Sequence, residues 1–202
     1  MFDDVDLSKI PVHAAAVAGY VNGRWPTYSQ LATKFPLAKH LSIAVNAEVD
    51  AECLDIERFD ATPDQAPNWV RRQIARGVKL PVVYCALSDA EKVVRILAAS
   101  GINRSEYRLW TAHYNYKPHL CSASCGFGFT SHADATQWTD KALGRDLDAS
   151  LCSTEFFFSP PTVATRRARL RAWILRHYRL GRSWAWLKRQ PQWKLWRKLG
   201  GR

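Results

Sequence analysis

The sequence predicts an α/β fold: a parallel sheet wrapped by helices and closed into one compact (β/α) barrel, followed by a basic, amphipathic helical tail. Three observations carry this expectation. Short β-rich runs alternate with helical runs over the first 150 residues, giving about seven or eight strands. A chain of 202 residues that is 47% hydrophobic buries one full core and leaves room for an appendage rather than a second domain. Charge is also divided: residues 1–165 carry 16 Lys and Arg against 18 Asp and Glu, while residues 166–202 carry 13 basic residues and no acidic one.

The elements follow in order. Residues 13–21 (HAAAVAGYV) read as a strand, 26–35 as a helix, 40–47 as a strand and 51–59 (AECLDIERF) as the next. Thr62, Pro63 and Gln65 supply an N-cap, a first-turn proline and a capping-box partner, so a helix is expected from Pro63 to Arg76, stopped by Gly77. Residues 81–87 (PVVYCAL) form a buried strand. Ser88 and Glu91 repeat the capping-box pattern ahead of a helix ending at Gly101. Residues 107–114 (YRLWTAHY) are a strand, 115–132 a long loop over the site, 133–139 a strand, and 144–150 (GRDLDAS) the last barrel element.

Pro160-Pro161 suits neither helix nor inner strand, so the barrel domain is expected to span 1–158 and the tail 159–202. In the tail Leu170, Trp173, Ile174 and Tyr178 fall at helical spacing before breaks at Gly181 and Pro191, which predicts two or three short amphipathic helices. Trp173, Trp184, Trp186, Trp193 and Trp196 interleave with the basic residues, a mixture suited to an anionic membrane interface or envelope polymer. Basic and aromatic residues also suit single-stranded nucleic acid, but without a recognition fold that partner is not expected. The opening MFDDVDLSKIP has neither a basic start nor an apolar run of signal-peptide length, so no signal peptide is expected.

Asp55 and Glu57 lie two apart on a predicted strand, so their side chains share one face. Such a carboxylate pair suits glycoside hydrolysis: one carboxyl gives its proton to the leaving oxygen, and the other stays ionised to stabilise positive charge. Active sites of barrels gather at the C-terminal ends of the strands, where Asp55, Glu57, His113, Gln137 and Asp148 are all expected.

With those positions in place, LDIE (54–57), VVY (82–84), LWTAHY (109–114), TQWTD (136–140) and RDLDAS (145–150) resemble, in order, motifs of the glycoside hydrolase family 25 lysozymes, over residues 1 to about 152. The chain looks closer to a divergent actinobacterial and phage branch described as glycoside hydrolase-like. The resemblance implies a TIM-like barrel of the family 25 type, with Glu57 as general acid, Asp55 as its charge-stabilising partner, and an aspartate from each of the first and last strands. Asp3 is favoured over Asp4, and Asp148 over Asp146. Tyr84, Trp110, His113, Tyr114, Gln137 and Trp138 are the expected substrate-binding set, the two tryptophans by stacking on sugar rings.

The implied function is cleavage of the β-1,4 bond between N-acetylmuramic acid and N-acetylglucosamine in peptidoglycan, with the tail holding the enzyme at the anionic envelope. A phage endolysin of this kind would reside in the host cytoplasm before release and act at the cell wall. The alternatives are a catalytically inactive glycan-binding barrel of a phage or envelope protein, and a membrane-permeabilising tail that the barrel targets. No cofactor is expected. Cys53 and Cys85 read as buried thiols, whereas Cys121 and Cys125 with His119 and His132 follow the spacing H-x-C-x3-C-x6-H, for which zinc or a loop disulfide are the readings; no metal is assigned.

Overall fold

The computed structural model describes residues 1–157, 170, 171, 173–175, 177 and 184–198. The chain divides into two compact units, Met1–Ser159 and Pro160–Arg202.

The first unit is a closed eight-stranded barrel whose strands follow one another around the ring in chain order. They are β1 (Phe2–Asp3), β2 (Ala16–Tyr20), β3 (Lys39–Ala44), β4 (Cys53–Ile56), β5 (Val82–Ala86), β6 (Arg108–Ala112), β7 (Ala135–Thr139) and β8 (Asp148–Cys152). Strands β1 to β7 are parallel, and β8 runs antiparallel to both β7 and β1. The uniform parallel sheet expected from the sequence is therefore corrected at its last strand. A parallel pairing needs a crossover of about a dozen residues or more, and the link from Thr139 to Asp148 is only a short 3₁₀ turn at Ala142–Gly144 and its flanks. The last barrel element also starts later than the expected 144, at Asp148.

Alternation along each strand sorts its side chains between two cores. On β4, Cys53 joins Ala18, Leu41, Ile43, Val82, Tyr84, Trp110 and Ala135 inside the ring. Leu54 and Ile56 face outward, onto Trp69 and Val70 of α2 (Ala66–Ala75) and Val93 and Leu97 of α3 (Leu87–Ala99). Helix α1 (Tyr28–Lys34) covers the other flank through Leu31, packed with Val17, Leu147 and Ala149. Its approach is close enough that a Cβ at Gly19 of β2 would sit 3.0 Å from Thr27 Oγ1 and 3.1 Å from Leu31 Cδ1.

Among the described residues the helices occupy three of the crossovers; the links from β1 to β2 and β6 to β7 do the same work as irregular chain. Leu7, Ile10 and Ala14 from the first link and Cys121, Phe129 and Ala133 from the second bury themselves in the outer cores. The Thr62–Gln65 capping box forms over a 3₁₀ turn that leads into α2, and Gly77 follows the helix at φ +95°. The Ser88–Glu91 box does not form. Helix α3 begins at Leu87, directly off β5, so Ser88 is already inside it, and Glu91 instead accepts hydrogen bonds from the Thr130 backbone N–H (2.8 Å) and hydroxyl (3.0 Å).

In the second unit, α4 (Trp184–Arg189) and α5 (Pro191–Lys198) follow a helical stretch around Ile174. Ile174, Leu187 and Trp196 are buried, with Leu170, Trp173, Trp186 and Trp193 packed against them. Trp173 and Trp186 stack with centroids 6.3 Å apart. Four of the five tail tryptophans thus build a small core of their own. The expected Pro160-Pro161 boundary, Tyr178 and the break at Gly181 lie outside the described residues. No helix among the described residues is long and apolar enough to cross a membrane.

Candidate active site

The inward alternation of β4 carries past Cys53 to Asp55 and then to Glu57, one residue beyond the strand's end. Asp55 is buried, 3% exposed, and Glu57 is exposed on the rim. Around the ring Asp55 stands opposite Tyr84 of β5 in register, and Asp3 of β1 opposite Asp148 of β8. Because β8 runs backwards, its first residue lies at the same end of the barrel as the last residues of the parallel strands. Asp3, Asp55, Glu57 and Asp148 are therefore gathered at that end.

The alternatives at each position are held elsewhere. Asp4 forms an ion pair with Lys9 at 3.2 Å, and exposed Asp146 pairs with Lys141.

Too much negative charge is collected here for all four groups to ionise freely. Burial, then the nearby Asp148, pushes the Asp3 carboxyl well above its ordinary range. Burial and then Glu57 raise Asp55 to about 8. Glu57 is raised by burial and partly relieved by the Tyr84 hydroxyl. Asp148 is raised to about 6 by burial, against a lowering hydrogen bond from the Gln137 side chain. One oxygen each of Asp3 and Asp55 is buried without a hydrogen-bond partner.

Below the carboxylates lies a fixed polar floor. The Tyr84 hydroxyl has one proton for two acceptors, Gln137 Oε1 at 2.5 Å and the Glu57 carboxylate; given to Gln137, it leaves the Gln137 amide N–H for Asp148. Tyr114 stands at the same mouth, its hydroxyl raised by burial and then by Asp148 and Asp3.

Three of the expected binding residues are placed differently. Trp110 is 1% exposed in the barrel interior, its Nε1–H donating to Ser150 Oγ at 3.0 Å, so its ring is not available to a sugar. Trp138 follows inward Gln137 and so falls outside the ring, packed against the Leu147–Ala149 cluster. His113, just after β6, turns away to His119, with Nδ1···Nε2 3.0 Å.

Other residues at this end were not singled out from the sequence. Asp60 brings a third carboxylate within 4.8 Å of Asp55 and Glu57, a trio that also offers oxygen ligands of the kind a hard divalent cation takes. Tyr20 on β2 is held up by burial and then by Asp3 and Asp55. Phe59, between Glu57 and Asp60, has φ +78° and is 90% exposed. A non-glycine residue in that region is held there by its surroundings, and here the turn presents an exposed aromatic ring beside the carboxylates, with the Arg58 guanidinium 4.7 Å from its centroid. Asp60 had a weak signal, an acid three residues after the D-x-E triplet; the Phe59 backbone had none.

A cleft of ≈ 270 Å³ lined by Asp3, Tyr20, Asp140 and Asp148 opens at the carboxylate end. A larger one, ≈ 470 Å³, is lined by His40, Glu52, Arg76 and Phe156, near the strand starts, and holds none of the carboxylate cluster. The smaller cleft is the candidate because Asp3 and Asp148 of the carboxylate cluster line it; Asp55 and Glu57 stand outside its lining.

No protein-family model matches this chain. No curated protein matches it either. A solved structure, an uncharacterized B. stearothermophilus protein at 1.07 Å, is similar over 70% of this chain and 85% of its own, with 13% identity and a TM-score of 0.49. The geometry defines the chain as an α/β barrel with a carboxylate-lined mouth.

Proposed function

We propose that the chain is a peptidoglycan-degrading glycoside hydrolase, a muramidase of the family 25 lysozyme type, cleaving the β-1,4 bond between N-acetylmuramic acid and N-acetylglucosamine. The observation that carries this reading is the convergence of Asp3, Asp55, Glu57 and Asp148 at one end of the barrel, with every one of the four carboxyls raised above its ordinary range, burial being the largest cause for each. Glu57, on the rim, donates its proton to the leaving oxygen. Asp55 beneath it stabilises the developing positive charge.

The closest oxygens of Asp55 and Glu57 lie within 4.8 Å, less than the roughly 6.5–9.5 Å that an inverting pair needs to seat a water between them. That spacing suits a reaction in which the substrate's own acetamido group attacks the sugar carbon and Asp55 orients it. Burial and Glu57 keep the proton on Asp55 to about pH 8, the opposite of the ionised state this role requires. Positive charge at the sugar lowers that pKa, so Asp55 releases its proton to solvent at the barrel mouth as that charge develops. The basic tail, rich in Lys and Arg, tethers the barrel to the anionic envelope.

The test is release of reducing muramic ends from purified cell walls by the full chain and by Glu57→Gln. Release that disappears in the variant supports the assignment; lysis retained by Glu57→Gln overturns it. A second reading, a glycan-binding barrel without turnover, is favoured by the same Asp55 proton. Wall binding with no muropeptide release from either protein would establish it.

A further inference from the structure

We propose that His113, His119, Cys121 and Cys125 form a structural zinc site that staples the loop between β6 and β7. Their four ligand atoms lie within 4.8 Å of one another. The sequence spacing pointed to His132 as the second histidine. That residue is exposed, its backbone occupied by a bridge to Ser122, and it is absent from the cluster. His113 takes its place because the end of β6 and the start of the loop return to the same point, which linear spacing does not show.

The distances carry the argument. His113 Nδ1 is 3.0 Å from His119 Nε2, and Cys121 Sγ is 3.7 Å from the first and 3.6 Å from the second. A tetrahedral zinc with Zn–N of about 2.0–2.1 Å and Zn–S of about 2.3 Å sets N···N edges of about 3.3 Å and N···S edges of about 3.6 Å. The donors already stand near the edges of that polyhedron. Two thiolates and two neutral imidazoles give a zinc complex of zero net charge, which a half-buried position tolerates. Two soft sulfurs with two imidazoles select zinc over calcium or magnesium, and four protein ligands leave no open position, the mark of a structural site.

The outer contacts are also in place. His119 Nδ1 lies 2.9 Å from the Lys117 carbonyl, which can only accept, so this nitrogen carries the N–H and Nε2 presents its lone pair to the cluster. The Cys121 backbone N–H donates to Thr136 Oγ1 at 2.8 Å, and Ala133 N–H to the Cys121 carbonyl at 2.8 Å, tying the loop to β7. All five cysteines are free thiols. On binding, the Cys121 and Cys125 thiols lose their protons to solvent, and the His113 proton between the rings moves to its outer nitrogen. The site fixes the segment that carries Tyr114, so it bears on the barrel mouth whether or not the mouth is hydrolytic.

Metal content of the full chain, purified reduced from zinc-supplemented medium, tests this. The expected result is one zinc per chain, and in the cobalt-substituted protein thiolate charge-transfer absorption with tetrahedral d–d bands. Cys125→Ser and His119→Gln, both at half-buried positions, should each weaken zinc at least about 10–100-fold against a chromophoric chelator, the loss that even an outer-shell change causes, while His132→Gln should bind as the parent. No zinc in the reduced parent overturns the site, as does unchanged affinity in both ligand variants. A parent that takes no metal and instead loses two hydrogens in mass on oxidation, with Cys121 joined to Cys125, makes the pair a disulfide.

Discussion

The two ends of the barrel treat buried carboxylates in opposite ways. At the strand starts Asp134 is buried, with Arg104 Nη2 at 2.5 Å from one oxygen, Arg108 Nη1 at 3.5 Å from the other, and the Leu109 backbone N–H donating at 2.8 Å. At the strand ends Asp3 and Asp55 are as deeply buried, yet each keeps an oxygen without a partner and is surrounded by other carboxylates. The base spends its acidic residue on holding the chain; the mouth leaves its acids under-satisfied, which is how groups are kept protonated and ready for a ligand.

That contrast can be broken in several ways, taken from the largest effect downward. Glu57→Gln should cut muropeptide release by about 10²–10⁴-fold while leaving the thermal midpoint unchanged or slightly raised; a loss of stability as large as the loss of activity would mean that the mouth is as structural as the base. Asp134→Ala should destabilise the barrel by about 3–5 kcal/mol, because two guanidinium groups are left in a buried setting without their counter-charge. Chemical denaturation reads this, and a change under 1 kcal/mol, by the same principle of pair breaking, would show the base to be open to water.

Asp55 supplies the pH dependence. Its folded pKa, about 8, stands above the ordinary value of 3.8, so the folded state holds a proton that the unfolded state has lost between these values. The stabilising contribution is fully present below the unfolded pKa and is lost as pH rises through the folded one. Stability should therefore decline from about pH 4 to about pH 8, and Asp55→Asn should flatten the slope and gain about 1–3 kcal/mol at pH 8. Urea titrations of both proteins across that range decide it; a parallel decline in the variant would assign the slope to other groups. Smallest of all, Thr62→Ala should lose about 1 kcal/mol through its cap on the turn into α2, with muropeptide release unchanged, which separates an ordinary residue near the mouth from those that trade stability for chemistry.

Much of this architecture is readable in local pattern. The LDIE run places Leu54 and Ile56 on one face and Asp55 with Glu57 on the other, and the Thr62–Gln65 box and Gly77 bound the helix that follows, because these are short-range rules of alternation and capping. What was missed depends on tertiary distance. The direction of β8 follows from a connection too short to cross over; the Ser88–Glu91 pattern failed because β5 feeds α3 with no residue to spare for a cap. Trp110 and Trp138 were grouped as sugar platforms by residue type, but each lands in a core on opposite sides of the ring wall. His113 meets the cysteines only once β6 and its loop have folded back together, and nothing in the residue Phe at position 59 announces a positive φ.

Strand β1 contributes just Phe2 and Asp3, each paired with Val17 or Ala18 on one side and Ala149 or Asp148 on the other. This two-residue clasp closes the hoop, and one of its two members is the carboxyl whose ionisation burial opposes most plainly. A closed ring hides every strand edge, so releasing the clasp uncovers β2 and β8 together, as two ready templates for pairing with another chain. A barrel opened at that seam would therefore bare pairing edges before it bared its core, and the expected sign is a concentration-dependent rise in particle size.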